Sequence, residues 1–205
     1  MLIIISSLFL FFSCEKDDTN DKLGGDPSNI GEVGNVFYVS GVPYAVSDAS
    51  VKVTKREGGV STVTLSGVVN DPNLKNMLQS LDGYNGQTTI SAKFKATSEG
   101  IESVYDDGSF TIVKYNAKAG DTYTYNRRGM SLKREVTKVS NKDEYYWNGM
   151  LLKTVKVRET GRSIPGLKNT EFVFNHKFGL VGYSLNLEDG SKINLAVVSQ
   201  QNDAH

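Results

Sequence analysis

The feature that most narrows the fold is a two-residue alternation, broken by frequent turn signals, that runs from Thr88 to Ser199. At its start Ile90, Ala92, Phe94 and Ala96 fall on one side of an extended chain, and Thr89, Ser91, Lys93 and Lys95 fall on the other. That period belongs to strands with one face buried. Further strands are expected at 100–105, 109–116, 121–127, 131–139 and 144–158. The turns between them are marked by Asp106-Asp107-Gly108, Ala119-Gly120-Asp121, Arg128-Gly129 and Asn141-Lys142-Asp143. Asn148-Gly149 either splits the last of these strands with a type I′ hairpin turn or forms a bulge within it. Residues 160–169 read as a loop. Glu171-Phe172-Val173-Phe174 then leads through Asn175 into Gly179-Leu180-Val181, and a hairpin around Glu188-Asp189-Gly190 closes the chain.

Two hairpins precede this region. Phe37-Tyr38-Val39 turns at Ser40-Gly41 into Val42–Val46, with Pro43 marking an edge position. Val51–Lys55 turns at Glu57-Gly58-Gly59 and returns from Val60 to Val69. Between them and the meander lies one helix signal. Asp71 is placed to cap, Pro72 suits the first helical position, and Leu74, Met77, Leu78 and Leu81 make one apolar stripe before Gly83.

These elements predict an all-β domain with one short helix, an antiparallel meander curved into a half-barrel or open barrel. A two-sheet β-sandwich is the alternative. Twenty glycines, ten tyrosines and nine phenylalanines favour strands and tight turns in the same direction. The formal net charge is zero, from 23 basic and 23 acidic side chains. A dedicated nucleic-acid surface is normally distinctly basic, so none is expected.

The N-terminus carries a different kind of information. Leu2–Phe12 is apolar apart from Ser6 and Ser7, and too short to cross a bilayer core, which needs about 20 helical residues. It ends in Ser13, the chain's one cysteine Cys14, and the charged Glu15-Lys16-Asp17-Asp18. A short apolar stretch followed by a small residue fits a secretory signal and its cleavage site. The junction resembles the lipobox of bacterial lipoproteins, in which the peptide is cut before a cysteine that takes a diacylglycerol thioether. That resemblance makes Cys14 the lipidation site. Lys16, Asp17 and Asp18 are similar to the export signal of surface-displayed lipoproteins of the Bacteroidetes. The implied organisation is a signal peptide at 1–13, a flexible acidic tether at 14–34, one β domain at 35–200 and a polar tail at 201–205. The implied location is the outer membrane, lipid-anchored and facing the cell surface, with the periplasmic face as the alternative. The closing segment around Gly179-Leu180-Val181 also resembles exported families related to the lipoprotein-carrier proteins, which build incomplete barrels around a helix.

Little in the sequence points to chemistry. His176 is the one histidine within the expected domain, and a metal or acid–base site would need partners that no spacing supplies. There is no Gly-x-Ser-x-Gly elbow, and neither Asp106-Asp107-Gly108 nor Glu188-Asp189-Gly190 has the ligand order of an EF-hand. No catalytic residue, metal site or cofactor is expected. Tyr145, Tyr146 and Trp147 are the candidate ligand-binding residues. Tyr145 and Trp147 share one strand face, which would serve either as a platform for a sugar or as cross-strand core packing. Arg127-Arg128 with Lys133-Arg134 reads as a solvated basic face, with phosphates of lipopolysaccharide or an acidic glycan as the alternative partner. The function expected is a non-enzymatic binding or interaction protein at the outer membrane, with a glycan, lipid or outer-membrane protein as partner. The alternative is a periplasmic carrier or envelope-assembly lipoprotein sheltering an acyl chain.

Overall fold

Antiparallel pairing of nearest neighbours builds almost the whole molecule. A computed structural model describes residues 23–40, 46–70, 72, 89–127 and 130–200. Six strands form a first meander: β1 (Val36–Ser40), β2 (Val46–Glu57), β3 (Val60–Val69), β4 (Thr89–Thr97), β5 (Gly100–Tyr105) and β6 (Gly108–Lys114). The second comprises β7 (Thr122–Arg127), β8 (Met130–Val139), β11 (Val155–Thr160), β12 (Leu167–Asn175), β13 (Gly179–Leu187) and β14 (Lys192–Gln200). The short hairpin of β9 (Tyr145–Trp147) and β10 (Met150–Leu152) is inserted between β8 and β11 as a separate two-stranded sheet. The meanders join where β1 pairs with β14, giving one 12-stranded sheet with the order β6-β5-β4-β3-β2-β1-β14-β13-β12-β11-β8-β7.

The sheet curves until its edges, β6 and β7, nearly meet, so the open barrel is the observed architecture and the sandwich is not. Among the described residues no ladder closes this seam. It is bridged by side chains, with the Phe110 and Tyr125 rings 5.2 Å apart across it. The main apolar core comprises Phe37, Val53, Ala96, Ile101, Val113, Val136, Val155, Val157, Phe174 and Val197, and Phe110, Tyr125 and Leu132 form a smaller cluster. The helix expected at 71–83 lies outside the described residues apart from Pro72.

The second half of the expected tether is part of the fold. Leu23 is buried on the outer face of β4 and β5, where Lys95 Nζ donates to its carbonyl at 2.7 Å. Ser28 caps a turn of 3-10 helix at Asn29–Gly31, whose Ile30 enters the core and packs against Gly179. Apolar burial offsets the ordering entropy that a free tether would retain. The segment thereby covers the end of the barrel formed by the last residues of β4 and β12 and the first of β5 and β13.

Two local ambiguities also resolve. Asn148 (φ 44°) and Gly149 (φ 83°) are both left-handed, as a type I′ turn requires, so residues 144–158 form a hairpin and a separate strand. The loop expected at 160–169 is shorter, because β12 already begins at Leu167.

Candidate functional site

At the opposite end of the barrel, charge lies where the alternation would place apolar side chains. On β8, Leu132, Arg134 and Val136 share the inward face, and on β11 Val155, Val157 and Glu159 do the same. Arg134 and Glu159 are direct cross-strand partners, and each residue is only 2% exposed. Arg134 Nε donates to Glu159 Oε2 at 2.7 Å. Its Nη1 reaches across the seam to the carbonyls of Thr111 (3.0 Å) and Phe110 (3.4 Å). β6 has a strand partner on one side only, and the guanidinium supplies a donor on its open side, where a ladder would otherwise run. The same guanidinium lies 3.9 Å from the centroid of the Phe110 ring, a cation–π contact.

Arg162 approaches from the β11–β12 connection, and its Nε donates to Glu159 Oε1. Gly161 makes this approach possible. Its φ is 96°, and a Cβ there would lie 2.0 Å from the carbonyl oxygen of Ser131. No other residue type lets the backbone lie so close against β8. Tyr123, the partner of Arg134 on β7, and Tyr125 line the adjacent interior, with Tyr105 5.2 Å from Tyr125. Burial works to raise Glu159, but the charges of Arg134 and Arg162 and hydrogen bonds from both hold it below the ordinary carboxylate range. For Arg162 burial again opposes the charged form, and the Glu159 carboxylate prevails and raises its pKa. Desolvation pushes the phenols of Tyr123 and Tyr183 up, so both stay neutral at pH 7.

This arrangement corrects the reading of Lys133-Arg134 as a solvated basic face. Lys133 is exposed, whereas Arg134 is buried. The Arg127 side chain and Arg128 lie outside the described residues. The signal was present in the order Leu132-x-Arg134-x-Val136, which places arginine in phase with the apolar residues.

The aromatic triplet divides in two. Trp147 is buried with Leu152, Val173 and Val181 on the outer face of the sheet, and its Nε1 donates to the Val197 carbonyl at 2.7 Å. Its ring lies 4.6 Å from that of Phe178. Tyr145 lies half-buried over Gly182, close enough that a Cβ on Gly182 would be 2.4 Å from the tyrosine oxygen. The face shared by Tyr145 and Trp147 is therefore packing and not an open platform. Tyr146 points the other way and is 73% exposed, beside its cross-strand partner Leu151 at 54%. His176 is exposed in the β12–β13 turn, with its ring edge-on to Tyr115 at 6.5 Å. The local bonds of that turn go to Asn175, whose Oδ1 accepts from the amides of Lys177 and Phe178. Asp106-Asp107 and Glu188–Gly190 are hairpin turns, and Asp189 accepts from the Ser191 amide and hydroxyl. Cys14, Lys16, Asp17 and Asp18 lie outside the described residues.

No family model and no curated protein matches this chain. Among solved structures it is similar to a protein of Bacteroides fragilis named as exported, with a YmcC-like fold. The TM-score is 0.45 and the identity 8%, over 84% of this chain and 96% of the other. It is also similar to a protein of Parabacteroides distasonis named as a lipoprotein, with a TM-score of 0.43 and 10% identity, over 87% of this chain and 99% of the other.

Proposed function

We propose that this is a lipid-anchored outer-membrane protein, displayed at the cell surface, which binds a glycan or an outer-membrane partner without catalysis. The junction Ser13-Cys14-Glu15-Lys16-Asp17-Asp18 carries this reading. Two or three acyl chains on Cys14, at about 0.8 kcal/mol per buried methylene, would hold the chain stably at a bilayer. Leu23, nine residues later, is already seated on the barrel. At ~3.3–3.6 Å per residue the anchor then lies within roughly 30 Å of the fold. Within the triplet expected to bind ligand, Tyr146 keeps an open ring, and with Leu151 it offers an apolar face suited to a sugar ring or a partner's side chains.

The alternative is a periplasmic carrier of an acyl chain. It is disfavoured by the side chains of the sheet itself, which pack together inside the barrel.

Two experiments test the proposal. Cys14→Ser is expected to move the protein from the membrane to the soluble fraction; firm membrane association of the variant would refute the lipid anchor. External protease on intact cells is expected to shave the native domain and to spare a variant altered at Lys16, Asp17 and Asp18. Protection of both chains would place the domain on the periplasmic face.

A further inference from the structure

The charge cluster at the barrel end is one negative charge short. Among the described residues, Glu159 is the one carboxylate bonded to either guanidinium, and it is shared between Arg134 and Arg162. Both of its oxygens are already engaged. Two cations against one anion leave an excess positive charge in a mostly buried setting, where an uncompensated charge is costly. The neighbouring phenols of Tyr123 and Tyr183 are neutral and do not offset it.

Arg162 differs from Arg134 in the way that matters for a ligand. Arg134 uses Nε and Nη1 on protein acceptors and is sealed in, whereas Arg162 bonds through Nε alone and its side chain is 29% exposed. The two Nη nitrogens of Arg162 have no hydrogen-bond partner among the described residues. On a planar guanidinium such a pair of N–H groups is a fork that matches two oxygens of a carboxylate or phosphate. Glu159 and Gly161 hold that fork in place, so its orientation is set before a ligand arrives.

From this geometry we infer that the end of the barrel remote from the N-terminal segment is a binding site for an oxyanion group, with the Nη edge of Arg162 as its primary contact and Arg134 as the buried charge behind it. The ligand is an anion carrying a carboxylate or a phosphate. The inference does not depend on the lipid anchor or on the Tyr146 face, and it concerns the opposite end of the sheet from Ile30.

The test is a thermal-unfolding titration of the purified protein at constant ionic strength, with sodium glucuronate and sodium phosphate as the two probes and sodium chloride as the reference. A saturable rise in Tm of several degrees over chloride is expected with at least one probe. Glucuronate alone would assign carboxylate chemistry, and phosphate alone would assign phosphate chemistry. Arg162→Gln should weaken the response by at least about tenfold in apparent Kd. Arg158→Gln, which changes an outward-facing arginine paired with Glu171, should leave it intact. If neither probe exceeds chloride, or if Arg162→Gln lowers Tm yet titrates like the parent, the cluster is structural only and the site does not exist. Should Arg162→Gln fail to fold, the Nε–Hε NMR resonances of Arg134 and Arg162 in the native chain decide the matter. Both must shift together on titration, and unmoved resonances overturn the inference.

Discussion

At the scale of single residues, the fate of a side chain depends on what faces it. Glu159 is the anion shared by two guanidiniums. Replacing it with Gln leaves two guanidiniums, one fully buried, without their anion, and loss of one partner of a buried pair costs roughly 3–5 kcal/mol. Urea unfolding of Glu159→Gln measures this. The same residue sets an acid limb. Its native pKa is depressed, whereas in the unfolded chain it titrates near the ordinary value of about 4.3. The unfolded state therefore takes up the proton first as pH falls. The stabilisation is complete above about pH 4.3 and is lost as pH falls through the native value. The stability gap between the parent and Glu159→Gln should accordingly narrow in acid. Trp147 gives an independent optical check, being the one tryptophan of the chain. Its burial predicts blue-shifted emission that moves to the red on unfolding, and Trp147→Ala should cost about 3–5 kcal/mol.

At the scale of elements, the inserted hairpin shows how a short sheet is fixed to a large one. Three residues per strand give little stability alone, so β9 and β10 depend on Trp147 and Tyr145 packing over β12, β13 and β14. Gly182 is the floor of that contact. Gly182→Ala drives a methyl toward the Tyr145 oxygen and should cost roughly 1–3 kcal/mol, while Tyr145→Phe should recover part of the loss. A double-mutant cycle in urea reads the coupling, and simple additivity would show that the hairpin is not seated there. The turn has its own requirement. Gly149→Ala, at φ 83°, is expected to cost about 1 kcal/mol or more, and Asn148→Gly very little.

At the scale of the whole molecule, the barrel has two chemically different ends. One is covered by residues 23–35, where Ile30 fills the core beside Gly179 and Ser61 Oγ donates to the Gly31 carbonyl at 2.6 Å. Ile30→Ala should destabilise the domain by about 2–5 kcal/mol. A chain beginning at residue 32 should unfold at lower urea than one beginning at residue 23; equal midpoints would mean that the segment contributes nothing. The other end carries Arg134, Glu159 and Arg162. The strands, their alternation and most of their turns are legible in the sequence, because these depend on neighbours within a few residues: Gly58-Gly59, Asp106-Asp107 and Asp189-Gly190 all turn where expected. The type of sheet is legible there too, since connections of this length join antiparallel neighbours. What closes the barrel, and what the closure encloses, depends on contacts between distant parts of the chain. The pairing of β1 with β14 joins residues at opposite ends of the domain, as in Phe37 with Ser199. Arg134 finds Glu159 25 residues away and the edge carbonyls of β6 on the far side of the seam. An alternating pattern fixes which residues share a face, but the cost of burying a charge on that face depends on partners that distant strands supply.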